Sequence, residues 1–405
     1  RICQQFIKLW GDGLMKKPEL TKKGQFFDYS TLIIVFVLLA FGLVMIYSTS
    51  SYSAAATYGD SAFYFKKQLM ATLLGLAAMM IMSFIPYQKI YRFAVPVYVI
   101  TILTVFLVKT GLGLDVKGAT RWVKIGPLSF QPAEAVKLGT IIILAAFASF
   151  SGKYMAKTRQ NIFFLIIALI PALLLFVITN NLSSAIIVVG IAYIMLIVSN
   201  PRPRWIYIVS VIGIVAVAAL LVYVFNNLDP TSDSNFRFKR LFAWRDPEHF
   251  ASETGYQTIQ AMYAIGSGGF FGKGLGNSIQ KLGFIPEAHN DMIFSIVCEE
   301  LGLFGAICII ILFILLIYRF MVVANNAPDL FGSLLVVGVL AHIGIQVILN
   351  IAVVTNTIPN TGISLPFISY GGTSVCFLLV EIGIVLNVSR QIRVPVYTTN
   401  NRRGE

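Results

Sequence analysis

The chain has 405 residues, of which 57% are hydrophobic and only 12% charged, with a formal net charge of +13. Soluble domains carry about 25% charged residues, so this composition excludes a water-soluble globular enzyme and identifies a polytopic membrane protein. The basic excess would suit nucleic acid only if it were gathered on one face, and its distribution along the chain assigns it to membrane topology instead.

The N-terminal tail, 1–28, carries Lys16, Lys17, Lys22 and Lys23. Met15-Lys16-Lys17 reads as a natural start, so residues 1–14 are expected to be an upstream extension. About 20 apolar residues cross a hydrocarbon core. Ten segments qualify, at about 31–49, 67–86, 93–109, 133–150, 162–179, 183–199, 206–225, 291–319, 332–354 and 368–388. The fold class is therefore an all-α polytopic membrane protein of about ten transmembrane helices, with a single membrane domain over 29–388. The first apolar run is too long for a signal-peptide core. Lys89 and Arg92 follow the second span, Lys153, Lys157 and Arg159 the fourth, and Arg202 and Arg204 the sixth. The tail at 389–405 adds Arg390, Arg393, Arg402 and Arg403. The positive-inside rule then puts both termini in the cytoplasm, and nucleic acid drops out as a partner.

Two outer loops result, about 110–132 and, between helices 7 and 8, about 226–290. Loops longer than about 15 residues are usually functional or disordered, and the second is rich in aromatics, glycine and paired charges rather than low-complexity sequence. Cys298, Cys308 and Cys376 lie in apolar spans and Cys3 in the tail, with no CxxC pair, so neither a disulfide framework nor a cysteine metal site is indicated. No internal repeat is visible, which argues against an inverted-repeat transporter.

The segment Phe284–Glu300, FIPEAHNDMIFSIVCEE, ends the long outer loop and runs straight into an apolar helix. Asp291 stands where water gives way to lipid, and a carboxylate at a bilayer centre costs about 2.5–3.5 kcal/mol, so ionisable groups at that depth are functional candidates by default. The fourth span also enters from outside, with Glu134 at its mouth and Lys137 one turn deeper on the same helix face. Asp291 and Lys137 are thus expected at one level, as a functional pair or as a structural ion pair between the two helices, and charge alone leaves both open. His342, Gln346 and Asn350 make a polar stripe on the ninth span, which interhelical hydrogen bonding explains. Glu381, Glu299 and Glu300 lie deeper and invite a proton-relay reading, with a structural role as the alternative.

The run Gly266–Gly276, GSGGFFGKGLG, fails the phosphate-loop pattern at Ser267 and Gly274 and is expected to be a glycine-rich outer segment presenting Lys273. With Arg237, Lys239, Arg240 and Arg245 it offers cations to an anionic ligand on the outer face. Those cations could equally pair with Asp233, Asp246, Glu248 and Glu253, or with lipid phosphates. Pro359–Ser374, PNTGISLPFISYGGTS, opens the last span as a bent or re-entrant segment, with Ser369, Tyr370 and Thr373 available to line a cavity.

Several blocks together resemble one family. They are Gly42–Ser48 (GLVMIYS), Gly118–Trp122 (GATRW) with Gln131–Glu134 (QPAE), Gly255-Tyr256-Gln257, Pro286–Asp291 (PEAHND) and Leu365–Gly372 (LPFISYGG). In these residues the chain is similar to the SEDS proteins, the FtsW/RodA group of peptidoglycan polymerases, over almost its whole length. It departs from the family pattern at Asn290, where Thr is usual, and at Asn181-Leu182, where Asp-Leu is common. The GLVMIYS and PEAH spellings look more like the FtsW division branch than RodA.

The resemblance implies a glycosyltransferase that links lipid II into glycan strands at the outer face of the bacterial cytoplasmic membrane, in septal cell-wall synthesis during cell division. It implies Asp291 as catalytic residue, a general base for the incoming hydroxyl. It also marks Lys137, Glu134, Arg121, Trp122, Arg240, Gln257, Lys273, His289, Ser369 and Tyr370 as candidate substrate contacts. Lys137 would either hold Asp291 ionised or touch the donor diphosphate. A divalent cation such as Mg or Mn could assist, and no other cofactor is implied. A class B penicillin-binding transpeptidase, further divisome or elongasome membrane proteins, and membrane lipids are the implied partners. A RodA-type elongation polymerase, a lipid II flippase or transporter, and a non-catalytic scaffold are the competing readings. A transport path would be lined with polar residues from face to face, whereas here they are densest in the outer third.

Overall fold

The computed structural model describes residues 23–395 except 26, 117–118, 126–127, 201–203, 228–235 and 251–254. The 1–14 extension, Lys16, Lys17, Lys22, Gly118, Arg202, Asp233, Glu253, Arg402, Arg403 and the side chain of Arg237 therefore lie outside the described residues. A short strand β1 (Lys23–Gln25) precedes helices α1 (Tyr29–Tyr58), α2 (Phe63–Phe84), α3 (Tyr87–Arg92) and α4 (Ala94–Phe106). Strands β2 (Gly113–Val116), β3 (Ala119–Ile125) and β4 (Leu128–Phe130) follow, then α5 (Pro132–Ser151), α6 (Thr158–Ile178), α7 (Leu182–Ser199) and α8 (Arg204–Asn227). Helices α9 (Phe236–Arg245), α10 (Tyr256–Gly268), α11 (Ile293–Asn326), α12 (Leu330–Val354) and α13 (Thr373–Arg390) and strand β5 (Arg393–Pro395) complete the order.

Nine helices among the described residues are long and apolar enough to span a membrane: α1, α2, α5–α8 and α11–α13. About ten are expected from the sequence. The third expected span is the shorter apolar helix Ala94–Lys109, because α3 uses the residues before it and Lys109 ends the apolar run. The last span begins at Thr373 rather than 368, since the proline- and glycine-rich segment before it stays non-helical.

Both ends of the membrane domain meet on one side, in keeping with the charge pattern. Strand β1 pairs antiparallel with β5, with Gly24 opposite Val394. Asp28 caps α1, its carboxylate accepting from the Thr31 amide at 3.2 Å and the Thr31 hydroxyl at 2.7 Å. Arg319 of α11 reaches the same carboxylate at 2.7 Å and ties the two helices together at this end.

The interior is built by α5, α12 and α13, which are mostly buried, whereas α8 turns almost its whole surface outward. Lipid tails are as apolar as leucine, so helix association rests on close packing and hydrogen bonds rather than on hydrophobicity. Small residues supply the close approach: a Cβ on Gly338 of α12 would lie 2.4 Å from Ile141 of α5, and one on Gly383 of α13 would lie 2.6 Å from the Met79 carbonyl of α2.

Neither outer loop is irregular throughout. The first folds into a three-stranded antiparallel sheet in the order β2-β3-β4. The second contains α9 and α10, and its glycine run is not an open outer segment. Helix α11 breaks at Gly302, with φ 68° and ψ −167°, a backbone that disfavours any side chain. The glycine run fills that break. Lys273 and Gly274 amides donate to the carbonyls of Glu299 and Glu300 at 2.9 Å each, and Leu303 and Phe304 amides donate back to Gly269 and Phe270. A Cβ on Gly268 would meet the Cys298 carbonyl at 1.9 Å, so the glycines serve backbone contact.

Candidate active site

Asp291 stands two residues ahead of α11, and its backbone is fixed from α12. Asn350 donates one amide to the Asp291 carbonyl at 2.8 Å and to the Ile363 carbonyl at 2.7 Å, joining Asp291 to the segment that leads into α13. Asn350 lies twenty residues along α12 from Leu330. At 1.5 Å per residue that is about 30 Å, the thickness of a hydrocarbon core, so one such length along α12 separates Asp291 from the Leu330 end of the bundle.

The Asp291 carboxylate is half-buried and faces three segments. Gln257, at the start of α10, approaches Oδ1 with its amide nitrogen at 3.5 Å. Gly362 lies so close that an added Cβ would be 3.7 Å from Oδ2, with φ +67°. The third group is Arg240 of α9. Burial and then the neighbouring Arg121 pull its guanidinium below the usual arginine range, and the Asp291 carboxylate opposes them. Asn360 knits these groups together, donating to Gln257 Oε1 at 3.1 Å and accepting from Arg240 through its carbonyl at 3.2 Å. Arg121 is held from β3 by the Asn180 carbonyl at 3.1 Å. The result is a carboxylate and two guanidiniums at one end of the bundle, drawn from β3, α9, α10, the residues just before α11 and the segment before α13.

Of the predicted site residues, Asp291, Gln257, Arg240 and Arg121 converge here. His289 has a packing position: it is buried, its ring centroid 4.4 Å from that of Tyr64 and 5.6 Å from that of Tyr370. Its carbonyl accepts from the Tyr370 amide at 2.9 Å, so the two family-like blocks are bonded directly. Burial raises the Tyr370 hydroxyl above the usual tyrosine range. The buried Ser369 hydroxyl accepts from the Leu365 amide at 2.8 Å, bracing the turn itself. Trp122 is partly buried on β3 opposite Leu114.

Two expectations are corrected. The ion pair made by Lys137 is with Glu134, on its own helix at 2.7 Å, and not with Asp291. The i,i+3 spacing brings the two side chains together more directly than equal depth on separate helices does. Lys273 meets Glu299 at 2.7 Å and Ser267 at 2.9 Å, inside the glycine-filled break, so it is committed to a buried carboxylate.

The deep ionisable residues behind the relay reading are paired as well. His342 meets Glu381 at 2.9 Å and Lys281 meets Glu300 at 2.7 Å. Gln346 donates to the Ser364 carbonyl at 3.0 Å, so with Asn350 the polar stripe of α12 supports the bent segment, as interhelical hydrogen bonding would have it. Asn181, at one departure from the family pattern, caps α7 by accepting from Ser184 at 3.0 Å, the role an aspartate would take. Asn290 at the other donates to Glu287 at 3.0 Å.

Sequence reasoning missed Asn360 and Gly362. Both stand in the bent segment whose prolines and glycines were legible, but which of its residues would face Asp291 depends on the fold. Among the described residues no group of three or more His, Cys, Asp or Glu side chains is placed to hold a metal ion, and no step is assigned to one.

The sequence profile of the FtsW/RodA/SpoVE family, described as cell cycle protein, matches residues 29–394. Stage V sporulation protein E of Bacillus subtilis is 36% identical over 367 residues, covering 90% of this chain and 98% of that protein. A probable peptidoglycan glycosyltransferase FtsW of Trichlorobacter lovleyi is 36% identical over 380 residues, covering 92% and 95%. Among solved structures, a chain from work on the coordination of polymerization and crosslinking by a peptidoglycan synthase complex superposes with TM-score 0.74 at 28% identity, over 90% of this chain and 98% of that one. The rod shape determining protein RodA of Thermus thermophilus superposes with TM-score 0.63 at 25% identity, over 90% and 97%.

Proposed function

Because the chain belongs to the FtsW/RodA/SpoVE family, we propose that it is a peptidoglycan glycosyltransferase that polymerises lipid II at the outer face of the cytoplasmic membrane. The observation that carries this reading is the half-buried Asp291 carboxylate at one end of the bundle, with Gln257 and Arg240 beside it and Arg121 beside Arg240. The 4-hydroxyl oxygen of one N-acetylglucosamine attacks the anomeric carbon of the donor. The new C–O bond forms as the bond to the diphosphate oxygen breaks, and the bonding pair leaves with undecaprenyl diphosphate. Asp291 accepts the hydroxyl proton as general base.

The electrostatics divide the work. Arg121 and Arg240 repel one another, and a diphosphate bridging them would relieve that repulsion while its leaving charge is stabilised. Gln257 and Asn350 orient Asp291, one through its side chain and one through its backbone. Lipid tails remain in the bilayer while the head groups meet at its edge. Glycosidases need a second carboxylate to protonate a poor leaving group, whereas a diphosphate leaves without one, which fits a site with a single candidate base.

The division branch is favoured by the GLVMIYS and PEAH blocks and by relatives named FtsW at 32–36% identity, against 25% for the RodA structure. On this reading the protein works at the septum beside a class B penicillin-binding transpeptidase and other divisome proteins. The test is reconstitution of the purified protein with that transpeptidase and lipid II. Glycan strands and released undecaprenyl diphosphate are expected; translocation of lipid II across vesicles without polymer would overturn the proposal.

A further inference from the structure

Glu299 and Glu300 are fully buried, adjacent, and unused by the chemistry proposed for Asp291. They sit at the inner turn of a hairpin. Helix α10 descends from Gln257 to Gly268, the glycine run turns, the chain climbs back through Lys281 to Asp291, and α11 descends beside it. The end of α10 is pinned to α11, where a Cβ on Gly268 would clash with the Cys298 carbonyl. Gln257 and Asp291 thus occupy the outer end of one unit, about 16 Å from Gly268 and about 12 Å from Glu299 respectively at 1.5 Å per helical residue.

The inner end is held by two ionic locks. Glu299 accepts from Lys273 at 2.7 Å, from the Ile279 and Gln280 amides at 3.1 and 3.3 Å, and from the Ser278 hydroxyl. Glu300 closes a triangle with Lys281 and Ser48: Lys281 Nζ lies 2.7 Å from Glu300 and 2.9 Å from Ser48 Oγ, which donates to Glu300 at 2.7 Å. Ser48 belongs to α1, so this lock also fixes the hairpin to the bundle. All three side chains are buried. Removing one member of a buried ion pair leaves a charge uncompensated, so the arrangement has two ends that must match.

We propose that Lys281, Glu300 and Ser48 are positioning residues for the polymerase reaction, setting from a distance where the hairpin presents Asp291 to Gln257 and to the bound head groups. The proposal rests on the glycosyltransferase reading and deepens it. A displacement of about 1 Å at a reacting group costs about a hundredfold in rate, so small slippage of the inner end is sufficient.

The test measures lipid II polymerisation by Ser48→Ala, Lys281→Met, Glu300→Gln and the charge-swapped pair Lys281→Glu with Glu300→Lys. Variants are reconstituted with the transpeptidase and compared at equal folded protein by size-exclusion chromatography. The three single variants are expected to lower kcat by about tenfold to a hundredfold with KM within about twofold of wild type. The swapped pair is expected to recover most of the loss. Gln257→Ala should cost less in the Glu300→Gln background than alone, because the lock acts through that contact. Ser48→Ala, which buries no new charge, keeps the test open if the lysine variant fails to fold. Unchanged kcat in folded Ser48→Ala and Glu300→Gln would overturn the proposal, as would additive effects with Gln257→Ala. If wild type makes no polymer, the glycosyltransferase reading falls instead.

Discussion

The sharpest stability consequence concerns Lys137. Its ammonium and the Glu134 carboxylate are 1% and 6% exposed as residues and stand 2.7 Å apart on one face of α5. Lys137→Met keeps the volume of the side chain but strands Glu134 in the interior. Breaking such a pair from one side costs about 3–5 kcal/mol, while replacing both partners by apolar groups of similar volume is often neutral. Lys137→Met is therefore expected to lower the unfolding temperature in detergent sharply, and Glu134→Leu combined with Lys137→Met to restore it. Thermal unfolding followed by intrinsic fluorescence, with polymerisation measured on the same samples, separates two roles for the lysine. If Lys137 acts only through Glu134, the double variant regains polymer synthesis with its stability; if it also touches the donor diphosphate, the double variant is stable and inactive. A Lys137→Met protein as stable as wild type would refute the buried-pair reasoning.

Three further outcomes follow from the same geometry. Asn350→Ala leaves the Asp291 and Ile363 carbonyls without their amide donor, at about 1–3 kcal/mol for the buried Ile363 acceptor, and should lower kcat with little change in KM. Arg240→Gln removes a cation beside Asp291 and is expected to reduce kcat by about 10²–10³, read as release of undecaprenyl diphosphate. Gly302→Ala should abolish stable folding, measured as loss of the monodisperse peak, because its Cβ would lie 2.4 Å from the Gly272 nitrogen at a φ of +68°.

Much of the bundle is legible in the chain because membrane spans announce themselves by length and hydropathy and lysines and arginines orient them. The site is legible where its residues are consecutive, as in Phe284–Glu300. What escapes depends on long-range returns. Lys273 and Lys281 lie 26 and 19 residues before the carboxylates they meet, and only the break at Gly302 brings them there. A glycine inside an apolar helix was the available signal for that break. Helix α10 is 13 residues long and exposes Tyr263 while burying Thr258, Ile259, Ala261 and Ala264, too short for a span and too mixed for a clear apolar face. The sheet β2-β3-β4 escapes for a similar reason, since its three strands are only 4, 7 and 3 residues long. Equal depth on two helices makes Asp291 a possible partner of Lys137, but the carboxylate three residues before it on the same helix is the one it meets.

The central claim is that Asp291 is the base of a lipid II polymerase, and removal of its carboxylate tests it most directly. Purified Asp291→Ala and Asp291→Asn, each reconstituted with the transpeptidase, should elute and unfold like wild type and make no glycan strands from lipid II. Either variant polymerising at the wild-type rate would contradict the account.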